Sequence, residues 1–298
     1  MTAHDVPSDA AGVRLDRWLA TLPEVGSRAA AERLLDAGAV RVDGLERSKS
    51  HKLAGGETVE FEPLEVPQPP EVAPPELTVA YADEHLLVVD KPAGVVVHPA
   101  PGHAGATLAH ALALAGAEGG EEGRRGIVHR LDRDTSGLLV VARSHEAHER
   151  LQRLVRRRAL TREYLALVAG RPRSRRGTID APVGRDRRER LRHSLDTATP
   201  RSAVTHFEVE ELLDGYALLR VRLETGRTHQ IRVHLEAIEL PVAGDAVYGK
   251  ASVLGLERQF LHAARLAFAH PFTDEPVDVS SPLPPDLAAA LDVARRRE

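Results

Sequence analysis

The sequence predicts an α+β protein of two folding units: a small α+β unit near the N-terminus, then a larger one built on a mixed, mainly antiparallel sheet flanked by helices. Three observations lead there. Six prolines fall between residues 63 and 75, and so Pro-rich a segment runs extended and semi-rigid, separating two units rather than continuing one sheet. Beyond residue 78, strand-like and helical runs do not alternate regularly, which disfavours a doubly wound sheet. At 298 residues, 42% apolar and 28% charged, the chain has the length for a sizeable core and the composition of a globular protein.

Residues 1–11 read as an N-terminal tail and residues 12–62 as the small unit. Leu15, Trp18, Leu19 and Leu22 fall at helical spacing, which predicts a helix over 14–22. Ala30, Leu34 and Ala37 predict a second over 27–37, capped by Ser27 and ended by Gly38. Val40 and Val42 before Asp43-Gly44 predict a strand and tight turn, and Thr58–Phe61 another strand. Residues 63–77 are the linker, and residues 78–298 the larger unit. There, Leu86–Val89 and Val95–Val97 flank a Pro/Gly turn and predict a hairpin. Leu138–Ala142, Tyr164–Val168, Ala203–Val209, Tyr216–Leu223 and Phe260–Phe268 predict further strands. Thr107–Ala115, His145–Arg157, Thr228–Ile238 and Pro285–Arg297 predict helices, and Gly116–Gly126 a flexible loop.

Composition excludes several classes of function. With no cysteine there is no disulfide, thiol nucleophile or cysteine-held zinc, which fits a cytoplasmic protein. No apolar run approaches the length of a spanning helix, and Met1–Asp9 has two acids and no apolar stretch, so neither a membrane span nor a signal peptide is expected. The net charge of −4 hides an asymmetry: residues 124–192 hold 20 arginines against 8 acidic residues. Such a basic segment in an acidic chain predicts a polyanion-binding face, a set of solvated helix faces being the plain alternative.

Four segments concentrate the chemistry. Gly126–Gly137 is a polar, turn-forming run that leads directly into an apolar strand, with Asp132 flanked by Arg130 and Arg133. Opposite charge holds a carboxylate ionised, fit to act as nucleophile or base; the same Asp, Thr, Ser and Gly also build ordinary turns. Leu223–Leu235 reads as strand, glycine turn and helix, whose N-terminus with Arg227 suits an anion, while Thr228 serves equally as a cap. His229 and His234 are five apart, the wrong spacing for a metal pair on one helix face. Lys91, between the two strands of the expected hairpin, can touch phosphate or simply be solvated. Tyr164, near Arg156–Arg158, can stack on a nucleobase while the arginines hold phosphates, or be a core residue with a wet hydroxyl.

Together and in order, these segments resemble the RluA/RluD-type pseudouridine synthases. The residues that carry the resemblance are Lys91-Pro92-x-Gly94, His129-Arg130-Leu131-Asp132-x-x-Thr135-Ser136-Gly137, Glu163-Tyr164-x-Ala166-x-Val168-x-Gly170 and Gly226-Arg227-Thr228-His229-Gln230-Ile231-Arg232. Pro241-Val242-x-Gly244-Asp245-x-x-Tyr248-Gly249 and Leu261-His262-Ala263-x-Arg265-Leu266-x-Phe268 agree. Residues 12–61 are similar to the S4-like RNA-binding domain through Arg14-Leu15-Asp16, Ser27-Arg28, Gly38-x-Val40-x-Val42-x-Gly44, Lys52 and Gly56. Asp186–Ser202 departs from the family pattern, being richer in arginine.

The resemblance implies an S4-like domain followed by a pseudouridine synthase domain that isomerises uridine in RNA. It implies Asp132 as the catalytic carboxylate, as nucleophile or as base for the sugar 2′ proton, with Arg232 as its ion-pair partner. Tyr164 would stack on the uracil and handle the C5 proton. Arg130 would fill the space left by the flipped base, and Ile231 would wall it. Lys91, Arg227 and His129 are expected at the substrate, and Arg14, Arg28, Arg33, Arg41 and Lys52 at RNA on the small unit. An isomerisation needs no cofactor or metal, and no Walker loop or Gly-x-Gly-x-x-Gly is present. The expected partner is large-subunit ribosomal RNA, with tRNA as the alternative substrate, met by a cytoplasmic monomer. A non-catalytic RNA-binding protein, or a hydrolase using Asp132 and Asp134, are the competing readings.

Overall fold

The structure, a computed structural model, describes residues 2–26, 28–62, 73–98, 105–120, 125–189 and 192–296. The Ser27 cap, most of the linker and residues 121–124 of the Gly-rich loop therefore lie outside the described residues. The chain divides into two compact units, Met1–Glu71 and Val72–Glu298.

In the small unit, β1 (Thr2–Asp5) precedes α1 (Leu15–Leu19) and α2 (Arg28–Asp36). The strands β2 (Val40–Val42), β3 (Leu45–Glu46) and β4 (Thr58–Phe61) follow. The sheet order is β1-β4-β2-β3, antiparallel throughout. Val40 and Val42 alternate inward with Arg41 outward, as a half-buried strand requires. They pack with Val59 and Phe61 against Leu15, Trp18 and Leu19 of α1 and Leu34 of α2. Residues 2–11 are not a tail. Thr2–Asp5 pair residue for residue with Thr58–Phe61, and Val6 and Ala10 are buried in the same core. The edge of β4 would otherwise present unpaired backbone, and β1 covers it.

The larger unit opens with β5 (Thr78–Ala82), β6 (Leu86–Lys91) and α3 (Leu108–Leu114), then β7 (Ser136–Ala142), α4 (His145–Arg156) and β8 (Thr161–Ala169). Next come β9 (Arg176–Asp180), the short β10 (Gly184–Arg185) and β11 (His193–Ser194), β12 (Val204–Leu213) and β13 (Tyr216–Leu223). The chain ends with α5 (Gln230–Ala237), β14 (Leu261–Ala269), β15 (Pro276–Ser280) and α6 (Pro285–Arg295). Among the described residues, nine strands form one sheet in the order β5-β6-β7-β14-β8-β13-β12-β9, with β15 also on β14. Every pair is antiparallel except β7 with β14. The fold is thus the expected α+β one with a mixed, mainly antiparallel sheet.

Both faces of the central strands are covered. Leu86, Val88, Leu138 and Val140 point to one side, where Ala147 and Leu151 of α4 pack. Leu87, Val89, Leu139 and Val141 point to the other, against α3, α5 and α6. Burial on both faces explains why β6 and β7 read as continuous apolar runs. Among the described residues no helix is long and apolar enough to cross a membrane.

The parallel pair positions the site. Gly137 lies opposite Ala263, with φ at +112°, and a β-carbon there would stand 2.3 Å from the Ala263 carbonyl oxygen. Only glycine permits that approach, and β7 starts immediately after the Asp132 loop. The expected second hairpin strand, Val95–Val97, does not form. The carbonyls of Val96 and Val97 accept from the amides of Leu108 and Ala109, capping the start of α3, while the Val95 carbonyl accepts from Lys91. Those acceptors are spent before a ladder can use them.

Candidate active site

Asp132 lies in the loop before β7, on the sheet face that carries α5. Its carboxylate is partly open, with 18% of the side chain exposed. Arg232, on α5, donates from Nη1 to Asp132 Oδ2 at 3.2 Å. The rest of the Arg232 fork is committed elsewhere: Nε and Nη2 donate to Asp245 at 2.6 and 2.9 Å. Asp245 is fully buried and also accepts from the amides of Val247 and Tyr248. Burial pushes the Asp245 carboxyl up, but the Arg232 fork and the two amides outweigh it and hold it below the usual carboxylate range. Burial works against the Arg232 charge too, and the two carboxylates more than restore it.

The arginines that flank Asp132 in sequence are not its partners. Arg133 forks onto Asp134 at 2.9 and 3.0 Å, and Arg130 is exposed without an ion-pair partner among the described residues. Residue order suggested both; loop geometry turns them outward.

Three side chains from other parts of the unit pin the loop. Lys91 Nζ donates to the Arg133 carbonyl at 2.8 Å, Arg258 Nη1 to the Asp134 carbonyl at 3.0 Å, and Gln259 Nε2 to Thr135 Oγ1 at 3.3 Å. Arg258 is itself forked onto Asp286 at the start of α6. A catalytic group needs such a frame to stay in place. Lys91, expected at the substrate, is instead part of this frame. It is fully buried, and its three protons go to the carbonyls of Pro92, Val95 and Arg133. Burial pushes the Lys91 ammonium down to about 7, with Asp134 and Asp132 pulling the other way.

The pocket above Asp132 holds about 50 Å³ and takes in Arg130, Arg162, Tyr164, Arg227, His229 and Ile231 as well. Tyr164 and Arg162 project from the same buried face of β8. Burial raises the Tyr164 hydroxyl above the ordinary tyrosine range, Arg162 opposes this and Asp132 adds to it. Ile231 is buried as a wall. Arg227 donates from Nε to the Ser202 carbonyl and lines the pocket's rim. His129 lies in the adjoining cavity rather than this one, with Nε2 accepting from the Val140 amide; burial depresses its imidazolium to about 3.

His229 belongs to the Gly226–Arg232 motif, which by itself gives it no role. The structure places it in the left-handed region at φ 58°, ahead of α5, so that α5 starts at Gln230 and Thr228 is not its cap. A β-carbon residue in that conformation is strained and is kept where its side chain is needed. Its Nδ1 meets the Tyr248 hydroxyl at 3.0 Å, and its Nε2 stands 4.0 Å from Asp132 Oδ2. Burial keeps His229 neutral-leaning, so Arg232 carries the charge that faces Asp132. Tyr248 also bonds the backbone of His193, tying the Arg-rich β10–β11 hairpin to the site.

On the small unit, Arg14 and Arg28 converge on the buried Asp16, which the Arg14 fork holds at about 2. Lys52 bridges to Arg14 along the backbone and is exposed. Arg33 is exposed on α2. Arg41 faces outward between Glu46 and Glu60 on the neighbouring strands.

A carboxylate paired with an arginine at the foot of a pocket, with a buried tyrosine and further arginines around it, is an arrangement fit for chemistry on a group carried by a polyanion. Comparison with known proteins agrees. The RNA pseudouridylate synthase profile matches residues 85–237 and the S4 domain profile residues 13–59. An RNA pseudouridine synthase of Chloroflexus aurantiacus is 46% identical, over 96% of this chain and 91% of its own. The ribosomal large subunit pseudouridine synthase D of Xanthomonas campestris pv. campestris is 41% identical, over 97% of this chain and 91% of its own. The structure of human RNA pseudouridylate synthase domain containing 1 superposes with a TM-score of 0.57 at 32% identity, covering 72% of this chain and 87% of that one. The chain belongs to the RNA pseudouridylate synthase family, isomerases of uridine in RNA, and carries an S4 domain ahead of the catalytic one.

Proposed function

We propose that the protein converts uridines of large-subunit ribosomal RNA to pseudouridine, with Asp132 as the catalytic carboxylate. The observation that carries this reading is the Arg232–Asp132 pair at the floor of a pocket walled by Tyr164 and Ile231. The target base leaves its stack, at a cost of a few kcal/mol, and enters between these walls. Arg130, exposed and unpaired, takes the vacated place in the RNA. Asp132, paired with Arg232, attacks the nucleotide or removes the 2′ proton of its sugar. The N1–C1′ bond breaks, the uracil turns and C5 joins C1′. The C5 proton then leaves through the Tyr164 hydroxyl, and N1 ends protonated, so nothing is gained or lost overall. The reaction itself calls for no cofactor.

The ribosomal substrate is supported by the similarity, over 97% of this chain, to proteins named as ribosomal large subunit pseudouridine synthase D, and by the S4 domain this chain carries. Arg14, Arg28, Arg33, Arg41 and Lys52 are the cations the small unit offers to that RNA, with the Arg14–Arg28–Lys52 cluster as its centre. A cytoplasmic monomer fits a cysteine-free chain whose pocket is lined by residues of one chain. Pseudouridine mapping on unmodified large-subunit rRNA and on a tRNA pool tests the reading. New sites in the rRNA are expected; sites in tRNA alone would overturn the substrate and keep the chemistry.

A further inference from the structure

A second cavity of about 470 Å³ adjoins the Asp132 pocket, and Arg130, Arg162, Gly226 and Arg227 line both. Among the described residues the second lining carries arginines at 130, 156, 158, 162 and 227 and a single carboxylate, Glu224. Glu224 is already engaged, by Arg158 and by His206. Among the described residues the wall between the cavities therefore presents cations with little internal compensation.

Arg162 stands out among them. It is 6% exposed, and no described carboxylate pairs with it. Among the described residues its one side-chain hydrogen bond runs from Nη2 to the Glu224 carbonyl at 3.3 Å, and its Nε is buried with no partner there. A buried guanidinium left so poorly satisfied is costly to hold, and burial pulls its pKa below the ordinary arginine range. The chain keeps room for it: a β-carbon on Gly226 would come within 2.8 Å of Arg162 Nη1. Arg162 also shares the inner face of β8 with Tyr164, one pleat repeat away, about 7 Å along the strand. That offset is of the order of the reach from a nucleobase across its ribose to a phosphate.

We propose that Arg162 binds a phosphodiester oxygen flanking the flipped nucleotide, at the junction of the two cavities, so that the RNA supplies the counter-ion this buried fork lacks. The outer arginines continue the track, as suits a chain of phosphates more than a single small anion. The proposal rests on the reading that the Asp132 pocket receives a uridine from RNA.

The test uses the full chain, wild type beside Arg162→Met and Arg162→Lys, with the rRNA transcript in which wild type forms pseudouridine. Single-turnover product formation is followed against RNA concentration and salt. For Arg162→Met the half-saturating RNA concentration rises about 30-fold, as loss of one charge-assisted hydrogen bond implies. The slope of log affinity against log salt becomes shallower by about 0.7 to 0.9, one phosphate's share. Arg162→Lys recovers the slope, and the melting temperature of Arg162→Met does not fall, because a costly buried charge has gone. With wild-type protein, neutral methylphosphonate placed at single linkages beside the target weakens binding at one linkage, and Arg162→Met is indifferent to that replacement. An unchanged salt slope with a lowered melting temperature shows a structural arginine and overturns the proposal. So does a fall in the saturated rate alone, which would make Arg162 a tuner of Tyr164. If wild type forms no pseudouridine in any RNA, the functional reading fails first and this proposal falls with it.

Discussion

Arg232 joins two carboxylates of opposite situation: Nη1 reaches the partly open Asp132 at 3.2 Å, while Nε and Nη2 fork onto the fully buried Asp245 at 2.6 and 2.9 Å. The stronger contact is the one away from the pocket. Asp245 fixes the guanidinium, and the remaining nitrogen fixes Asp132.

Removing Arg232 therefore strands Asp245 more than it strands Asp132. Arg232→Met is expected to destabilise the larger unit by about 3–5 kcal/mol, the usual cost of an unpaired buried charge. Adding Asp245→Leu should recover most of that stability and none of the activity, because Asp132 still lacks its partner. Thermal unfolding and a pseudouridine assay on the single and double variants separate the two effects. Recovery of activity in the double variant would contradict the account.

Tyr164 is buried with its hydroxyl held protonated, so its part is a proton relay rather than a standing anion. Tyr164→Phe keeps the stacking surface and loses the relay. Binding should persist while product formation slows by about a hundredfold or more, the span of a positioned acid–base group. Tritium release from C5-labelled uridine in RNA measures that step. Turnover equal to wild type would remove the role.

Lys91 gives the fold a pH dependence with a definite sign. Its folded pKa of about 7 lies below the ordinary 10.5, so between those values the unfolded chain holds a proton the folded chain lacks. Stability then rises with pH across that window, by up to about 1.4 kcal/mol per unit, and is lost as pH falls toward 7. Lys91→Met should flatten the rise and lower the stability overall, since three carbonyls lose their donor. Urea unfolding at pH 7, 8 and 9 reads this by far-UV dichroism; Trp18, the single tryptophan, belongs to the small unit and does not report on it. A wild-type profile as flat as the variant's would refute it.

Gly137 is the hinge between the Asp132 loop and the sheet. Gly137→Ala meets both an unfavourable φ and a carbonyl 2.3 Å from the new carbon. A loss above about 2 kcal/mol is expected, with activity reduced because the loop must shift. Gly44→Ala, also at positive φ but in open space, should cost about 1 kcal/mol or less. Equal effects at the two positions would argue against a close approach at Gly137.

Much of this was legible in the residue pattern, and the misses have physical reasons. Asp132, Tyr164, Ile231 and Arg232 all line one pocket, as their motifs imply. Long apolar strands such as Tyr216–Leu223 follow their periodicity closely. Short edge strands do not, because two to five residues carry too little pattern: β1 was read as a tail, and β9 and β15 passed unnoticed. Val95–Val97 looks like a strand by composition, but its carbonyls serve Lys91 and α3. Lys91 itself reads as a surface cation, since nothing local reveals that carbonyls from residues 92, 95 and 133 converge on it. Asp245 stood in a quoted motif, yet its role exists only once α5 brings Arg232 to it. Arg162 stands two residues before Tyr164, and the signal was the two-residue period of a strand that puts both on one face.

The central claim, that Asp132 performs the chemistry, is tested most directly by Asp132→Asn under single-turnover conditions on an RNA the wild type modifies. The change keeps the shape, removes the charge and leaves Arg232 forked onto Asp245, so the fold and RNA binding should persist. The account predicts bound RNA and no pseudouridine. Pseudouridine formed by the asparagine variant at the wild-type rate would contradict it.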